Sequence, residues 1–462
     1  MATGSRPRIA IVGAGTAGIS CARVLIAKGF DDIKIYESRD RIGGRIHGSS
    51  SLGKPVDMGP NWMHGSTRVN SALAFFRAPG VTLHDIGEES AIFSPQGTPY
   101  SAAQVAELEE HMWTYVERAI EYSKEREDEI DPSVSMYEYI AALVDEELPD
   151  NAMKRKQVKQ AIKMFGFYIG EDVTRQSLKF ACLEEPAPGD NLFVASGFTG
   201  ILQDMARVVV KTASLRLQTP VSRVITVDDG VIVEAEGARE HYDAVVVSVP
   251  LGVLKQKDIV FEPALPEAIE NAIKALGYGR LEKVYLRFPR QFWTSDNFQF
   301  FQPEYAEETN SAKWPMSAVS LAHLPEQYAQ PVLLWYLYGE MSAHFLGLAT
   351  EADKIQFLEP YYSRISGYDA TRDAPDGLLH TAWSQDRHAG CGSYSNFQVG
   401  LVEGTANVDA LRQGMPERRV WFAGEHCSDV LQLATVSGAY EAGQHAGAGV
   451  AARLGKNVSA DE

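Results

Sequence analysis

The segment 8–38, RIAIVGAGTAGISCARVLIAKGFDDIKIYES, constrains the fold more than any other part of the chain. RIAIV is a short β-branched run and reads as a buried strand. Gly13, Gly15 and Gly18 follow as G-x-G-x-x-G, with Ala14 between the first two. TAGISCARVLIAKG then reads as a helix with small residues in its first turn, ending at Gly29. DIKIYES is the next strand, and Glu37 stands at its end. A lone glycine motif says little. Between a strand and a helix, with an acid about twenty positions on, it specifies a βαβ dinucleotide unit. The glycines let the backbone approach a pyrophosphate on the helix N-terminus, and Glu37 accepts from the ribose hydroxyls.

The unit alone does not separate NAD from FAD. The following stretch, SRDRIGGR (38–45), adds Ser38, Arg39 and a second glycine turn at Gly43-Gly44. An NAD enzyme would normally enter its next helix there. A second glycine turn instead carries Arg45 to the pyrophosphate side, where a fixed cation offsets negative charge.

The length, 462 residues, calls for two domains or one large composite. Apolar residues make 45% and charged residues 23%, a soluble globular balance. No apolar run reaches the ~18 residues of a membrane helix, and the N-terminus lacks a signal-peptide core. The expected compartment is therefore the cytosol, with no membrane partner. A net charge of −18 argues against nucleic acid and suits a cationic substrate as well as plain solubility. Four cysteines without a C-x-x-C pair argue against a zinc ribbon or a disulfide scaffold, and no metal site is expected.

ESRDRIGGR and then PVDMGPNWMHG (55–65) resemble the N-terminal third of the flavin-containing amine oxidases, and within them the polyamine oxidases. The resemblance returns in VVVSVPLGVLKQKDIVFEPALP (245–266), GYGRLEKVYLRFPRQFW (277–293), GSYSNFQVG (392–400) and VWFAGEHCSDVLQLATVSGAYEAG (420–443). It implies an α/β plus β fold: a Rossmann-like, GR2-type FAD-binding domain with an inserted α+β substrate-binding domain. The implied FAD domain is discontinuous, 1–74, 191–294 and 376–462. The substrate domain is 75–190 and 295–375. Independently, AAQVAELEEHMWTYVERAIEYSKERED within 102–163 has helical spacing, and the 215–250 stretch alternates like strands with a hairpin turn at DDG.

The resemblance also implies roles. Val221, Gly424 and Glu425 would hold the cofactor, Glu425 at the ribitol chain. Thr435 and Val436 would open a helix whose N–H groups face the flavin ring. Lys283 lies inside an apolar strand and needs a partner if buried. The family pattern has it holding a water at flavin N5. Tyr394 would form one aromatic wall for an amine. The opposite wall is Thr435, where plant and monoamine relatives carry a tyrosine, so the cage is half open. Trp383 would pack beside the ring. Gly59, Pro60, Asn61 and Trp62 would lie over the flavin, with Trp62 also touching substrate. His64 would face the substrate channel. Glu171, Glu184 and Glu185 would meet remote ammonium groups.

Cys391 stands two residues too early for the cysteine tether of monoamine oxidases, so the FAD is expected to be non-covalent. The implied reaction is oxidation of a polyamine such as spermine, spermidine or an acetylated form. A hydride equivalent passes to flavin N5, giving an aldehyde, an amine and H2O2 with O2 as acceptor. The alternative is a related flavin oxidase of another amine, amino acid or specialised metabolite. A histone-demethylase-like lobe is a lesser alternative, because the motifs start at residue 8 and leave no room for an added domain. The expected assembly is a monomer or weak homodimer.

Overall fold

A computed structural model of the chain describes residues 6–85, 90–185, 187–293, 299–302, 304 and 314–455. A five-stranded sheet stands at its centre, in the order Val420–Phe422, Ala244–Val247, Arg8–Val12, Asp32–Tyr36 and Ser214–Arg216. All four pairings are parallel. Its strands come from both ends and the middle of the chain. Ile9, Ala10, Ile11 and Val245 have no exposed surface, as befits a parallel sheet covered on both faces. RIAIV and DIKIY are thus neighbouring strands, joined by the helix Thr16–Ala27.

That helix packs against the C-terminal helix Val436–Arg453 through small residues. A Cβ on Gly443 would come within 2.2 Å of the Ala17 carbonyl, so the two backbones meet more closely than a side chain permits. This contact brings the N-termini of both helices to one region of the molecule. The residues 435–436 are thereby placed near the Gly13–Gly18 turn, over four hundred positions away in sequence.

A six-stranded sheet forms the second layer, in the order Gly377–His380, Glu282–Arg287, Val332–Leu337, Met316–Ser320, Gln299–Gln302 and Ser90–Ile92. Glu282–Arg287 and Gly377–His380 fall in segments expected to belong with the nucleotide unit, yet their hydrogen bonds place them in this sheet. The Lys283 strand is therefore the seam between the two parts. The DDG hairpin forms as read, joining Val221–Val227 to Gly230–Ala235. The 102–163 stretch contains the helices Ala102–Arg126, Met136–Glu147 and Ala152–Ile162, the first two opened by capping boxes at Ser101 and Ser135. Among the described residues no helix is long and apolar enough to cross a membrane.

Candidate active site

One cavity of about 960 Å³ runs from the first glycine turn past Lys283 to the helical segment. That is near the upper end for small-molecule and cofactor sites, which span roughly 300–1,000 Å³. Its first compartment is built by the glycine turns. A Cβ on Gly13 would sit 2.8 Å from the Ser248 Oγ, and one on Gly18 would sit 2.0 Å from the Gly13 carbonyl. At Gly15 the same Cβ would meet nothing within 4 Å. Gly13 and Gly18 are therefore glycines for packing, and Gly15 for an open space. This is the division of labour that a pyrophosphate at a helix N-terminus requires. Gly15 is also the N-cap of its helix and gives it no side-chain acceptor. The residues present fit a dinucleotide.

Glu37 is buried and accepts from the Ala14 and Arg39 backbone N–H groups, both at 2.8 Å. It lines the cavity with Ser38, Arg39 and Val221. Ala14 and Gly18 lie behind the wall, holding the turn's shape. The second glycine turn bonds back onto the first, Gly43 N–H to the Ala14 carbonyl at 2.8 Å. Positive φ at Gly43 and Gly44 lets the chain reverse there. Arg45 then reaches Glu425 at 2.9 Å and the Ser393 carbonyl at 2.6 Å. Burial raises the Glu425 pKa, but the Arg45 and His426 charges and the hydrogen bonds from Ser395 and Arg45 together outweigh it and hold the carboxyl low. Burial alone would lower Arg45; Tyr278 and Glu425 reverse that and raise it.

Lys283 sits at the middle of the cavity and is only 5% exposed. Its ammonium donates to the Gly59 carbonyl and, at 3.2 Å, to the Asp57 carbonyl. Burial lowers its pKa, while the nearby Asp57 charge opposes that shift. Glu282, next to it in sequence, is fully buried and faces the Trp383–Ser384 turn. It accepts from the Trp383 N–H at 2.9 Å and the Ser384 N–H at 2.7 Å. Trp383 in turn donates its indole N–H to the Met58 carbonyl at 3.0 Å. The strand thus locks the 57–61 loop with Lys283 and the Trp383–Ser384 backbone with Glu282.

The loop packs tightly onto its neighbours. A Cβ at Gly59 would lie 1.9 Å from the Arg45 carbonyl. Gly59, Pro60, Asn61, Trp62 and His64 all line the cavity. His64 is exposed to the cavity space and bonds through Nδ1 to Asn191 at 3.1 Å. Tyr394 lines the cavity, with its hydroxyl on the Tyr168 carbonyl at 3.2 Å. Gly170 presses on its ring, where a Cβ would come within 2.6 Å. Trp383, Gly424, Glu425, Thr435 and Val436 complete this compartment. The Thr435 side chain caps the last helix at Gly438, and its own N–H bonds the Gln432 carbonyl at 3.3 Å.

The three acids part company. Glu184 lines the cavity, its Oε1 lacks a hydrogen-bond partner among the described residues, and burial pushes its pKa up to about 7. Glu185 reaches the rim but pairs with Lys124 at 2.9 Å. Glu171 is not in the wall. It is buried beside Gly339 and accepts from the Asp172 N–H. Cys391 is exposed and outside the cavity, whereas Ser393 lines it.

Sequence reasoning missed several wall residues. Tyr336 donates to Asn61 at 3.0 Å and accepts from the Trp62 indole at 3.1 Å. Trp113, Phe167 and Phe301 line a chamber beyond it. Tyr336 lies in the apolar run VLLWYL, where a buried hydroxyl was the available signal. Asp57 and Glu282 carry no sequence signal that sets them apart from surface acids.

Comparison with known proteins fits this geometry. The model of a family described as flavin containing amine oxidoreductase matches residues 16–451. The chain is 29% identical over 451 residues to probable polyamine oxidase 4 of Arabidopsis thaliana, covering 95% of this chain and 86% of that one. It is 25% identical to the peroxisomal N(1)-acetyl-spermine/spermidine oxidase of Bos taurus, covering 92% and 91%. Among solved structures, putrescine oxidase bound to putrescine has the same fold, at TM-score 0.74 and 19% identity, covering 96% of this chain and 99% of that one.

Proposed function

The chain belongs to the flavin containing amine oxidoreductases, and from that membership we propose that it oxidises polyamines with FAD and dioxygen. The observation that carries the reading is one continuous cavity in which the dinucleotide cradle, Lys283 and the Tyr394 wall meet. Bound there, FAD would supply the redox chemistry, hydride acceptance from the carbon next to the amine nitrogen and electron transfer to dioxygen. Gly13, Gly15, Gly18, Glu37 and Arg45 hold the nucleotide side, and Glu425, Thr435 and Val436 the ring side. Lys283 moves or holds a proton near the reacting centre. Tyr394 and Trp62 exclude water and orient the methylene chain; His64 bonds a substrate nitrogen. Glu184 is the acid placed to meet a remote ammonium group.

Trp113, Phe167, Phe301 and Met164 give the far chamber apolar walls for a methylene chain, with Glu109 beside them. The products are an aldehyde, an amine and hydrogen peroxide. We divide the chain at its seam, with 1–74, 191–294 and 376–462 binding FAD and 75–190 with 295–375 shaping the substrate space. The Lys283 strand serves both.

Two expected results test the reading. Acid precipitation should release all the flavin to the supernatant, because Ser393, and not Cys391, occupies the cavity wall. Flavin left on the pellet would reopen a covalent tether. Lys283→Met should slow turnover by at least about tenfold, on the order of 1.4 kcal/mol of barrier, in a protein that stays folded and yellow. Stopped-flow rates equal to wild type in both half-reactions would make Lys283 a structural residue.

A further inference from the structure

The far chamber holds one acid among its apolar walls. Glu109 and Trp113 both line it. They stand four positions apart on the helix Ala102–Arg126, so they are neighbours on one face, a turn apart. Glu109 is half-buried and has no cation beside it among the described residues. Burial raises its pKa, and the Ser90 hydroxyl, on the edge strand Ser90–Ile92, lowers it. Glu107, on the same helix, is different. It is exposed, stands outside the wall and pairs with Lys154 at 2.8 Å.

Aromatic rings flank the acid. Tyr168, on the short helix Gly166–Ile169, lines the cavity and is 54% exposed. Its ring meets Trp113 edge-on, with centroids 5.3 Å apart and planes at 68°. Burial raises the pKa of the Tyr168 hydroxyl, and the Glu109 charge adds to that rise, which places the carboxylate near this ring. A carboxylate beside two aromatic rings attracts an ammonium group twice, by its charge and by the quadrupoles of the rings.

The acid also stands in sequence with the rest of the site. The Lys283 ammonium lies 6.0 Å from the centre of the Tyr336 ring. Tyr394 comes next, and its hydroxyl donates to the Tyr168 carbonyl at 3.2 Å. Glu184 stands by Tyr394, as Glu109 stands by Tyr168. The two acids thus follow one another along a single cavity.

We propose that Glu109, Trp113 and Tyr168 form a second ammonium subsite, which takes the far-end nitrogen of a long amine whose inner nitrogen meets Glu184. The inference rests on the polyamine oxidase reading of the main site and narrows its substrate class to a linear polyamine with a charged, unacetylated far end. The subsite touches no reacting atom, so its effect falls on binding and leaves the chemical step alone.

Spermine and N1,N12-diacetylspermine test it, because they share one chain and differ in the charge of their ends. Each is mixed anaerobically with the holoenzyme, and the rate of flavin bleaching against concentration gives an apparent Kd and a limiting rate. The wild type should bind spermine at least about fivefold more tightly than the diacetyl form. Glu109→Gln keeps the shape and an oxygen for Ser90. It should raise the spermine Kd at least about fivefold, move the diacetylspermine Kd less than about twofold, and leave the limiting rates within about twofold. Glu107→Gln removes the same charge from outside the wall and should change neither Kd. Equal affinity of the wild type for both ligands, an unmoved spermine Kd in Glu109→Gln, an equal rise for both ligands, or the same rise from Glu107→Gln would overturn the proposal. A wild-type flavin that no polyamine bleaches would instead overturn the polyamine reading. Calorimetric affinities of the same two ligands for the same holoenzymes would then still decide the role of Glu109.

Discussion

Gly15→Val should give a folded, stable protein that no longer holds FAD. The added side chain meets no protein atom within 4 Å of its Cβ, and Gly15 has an ordinary extended conformation with φ −76°. The apoprotein therefore loses little stability. The three added carbons occupy the space where the pyrophosphate approaches the Thr16–Ala27 helix, and they mask its N-terminal N–H groups. The expected loss of FAD affinity is at least about a hundredfold, on the order of 2.7 kcal/mol. Gly18→Val is the contrast: its Cβ would lie 2.0 Å from the Gly13 carbonyl, so the turn itself must break and the Tm must fall as well. A flavin fluorescence titration with a thermal melt separates the two. Wild-type FAD affinity in Gly15→Val would show that the open space is not the nucleotide site.

The best polyamine should exceed benzylamine by at least about a hundredfold in kcat/KM, which is roughly 2.7 kcal/mol. Two parts of the cavity produce that preference. Glu184 lines it with an Oε1 that accepts no hydrogen bond among the described residues, and the long, largely apolar chamber offers methylenes a surface that a short aromatic amine leaves empty. A carboxylate–ammonium contact near such a wall contributes about 1 kcal/mol and weakens with salt. The KM for the polyamine should therefore rise with ionic strength, and Glu184→Gln should flatten that dependence. A higher kcat/KM for benzylamine, or for an amino acid, would overturn the polyamine assignment and leave the flavin amine oxidase fold standing.

The nucleotide half was legible because its signals are local. The strand, the glycine spacing and Glu37 lie within 31 consecutive residues, 8–38, and each glycine has a backbone reason. Lys283 was legible for a related reason, as a cation inside an apolar strand that turned out to be buried. The substrate half was not. Its walls come from strands as far apart as Ser90–Ile92 and Val332–Leu337, brought together by sheet pairing that no short window contains. Tyr336, Phe301 and Trp113 are ordinary core aromatics until that pairing is known. Glu171 shows the converse error: an acid in a turn reads the same whether it faces the cavity or is buried behind Gly339. Asp57 was visible in PVDMGP, but only the folded chain brings its carboxylate onto the Phe198 N–H, 141 positions away.

The most direct test of the account is anaerobic mixing of the purified yellow protein with spermine, spermidine, N-acetylated spermine and spermidine, benzylamine and amino acids in turn. A polyamine should bleach the flavin fastest, and admitting oxygen should restore the colour with release of hydrogen peroxide. A flavin that stays oxidised with every polyamine, while a monoamine or an amino acid bleaches it, would contradict the account.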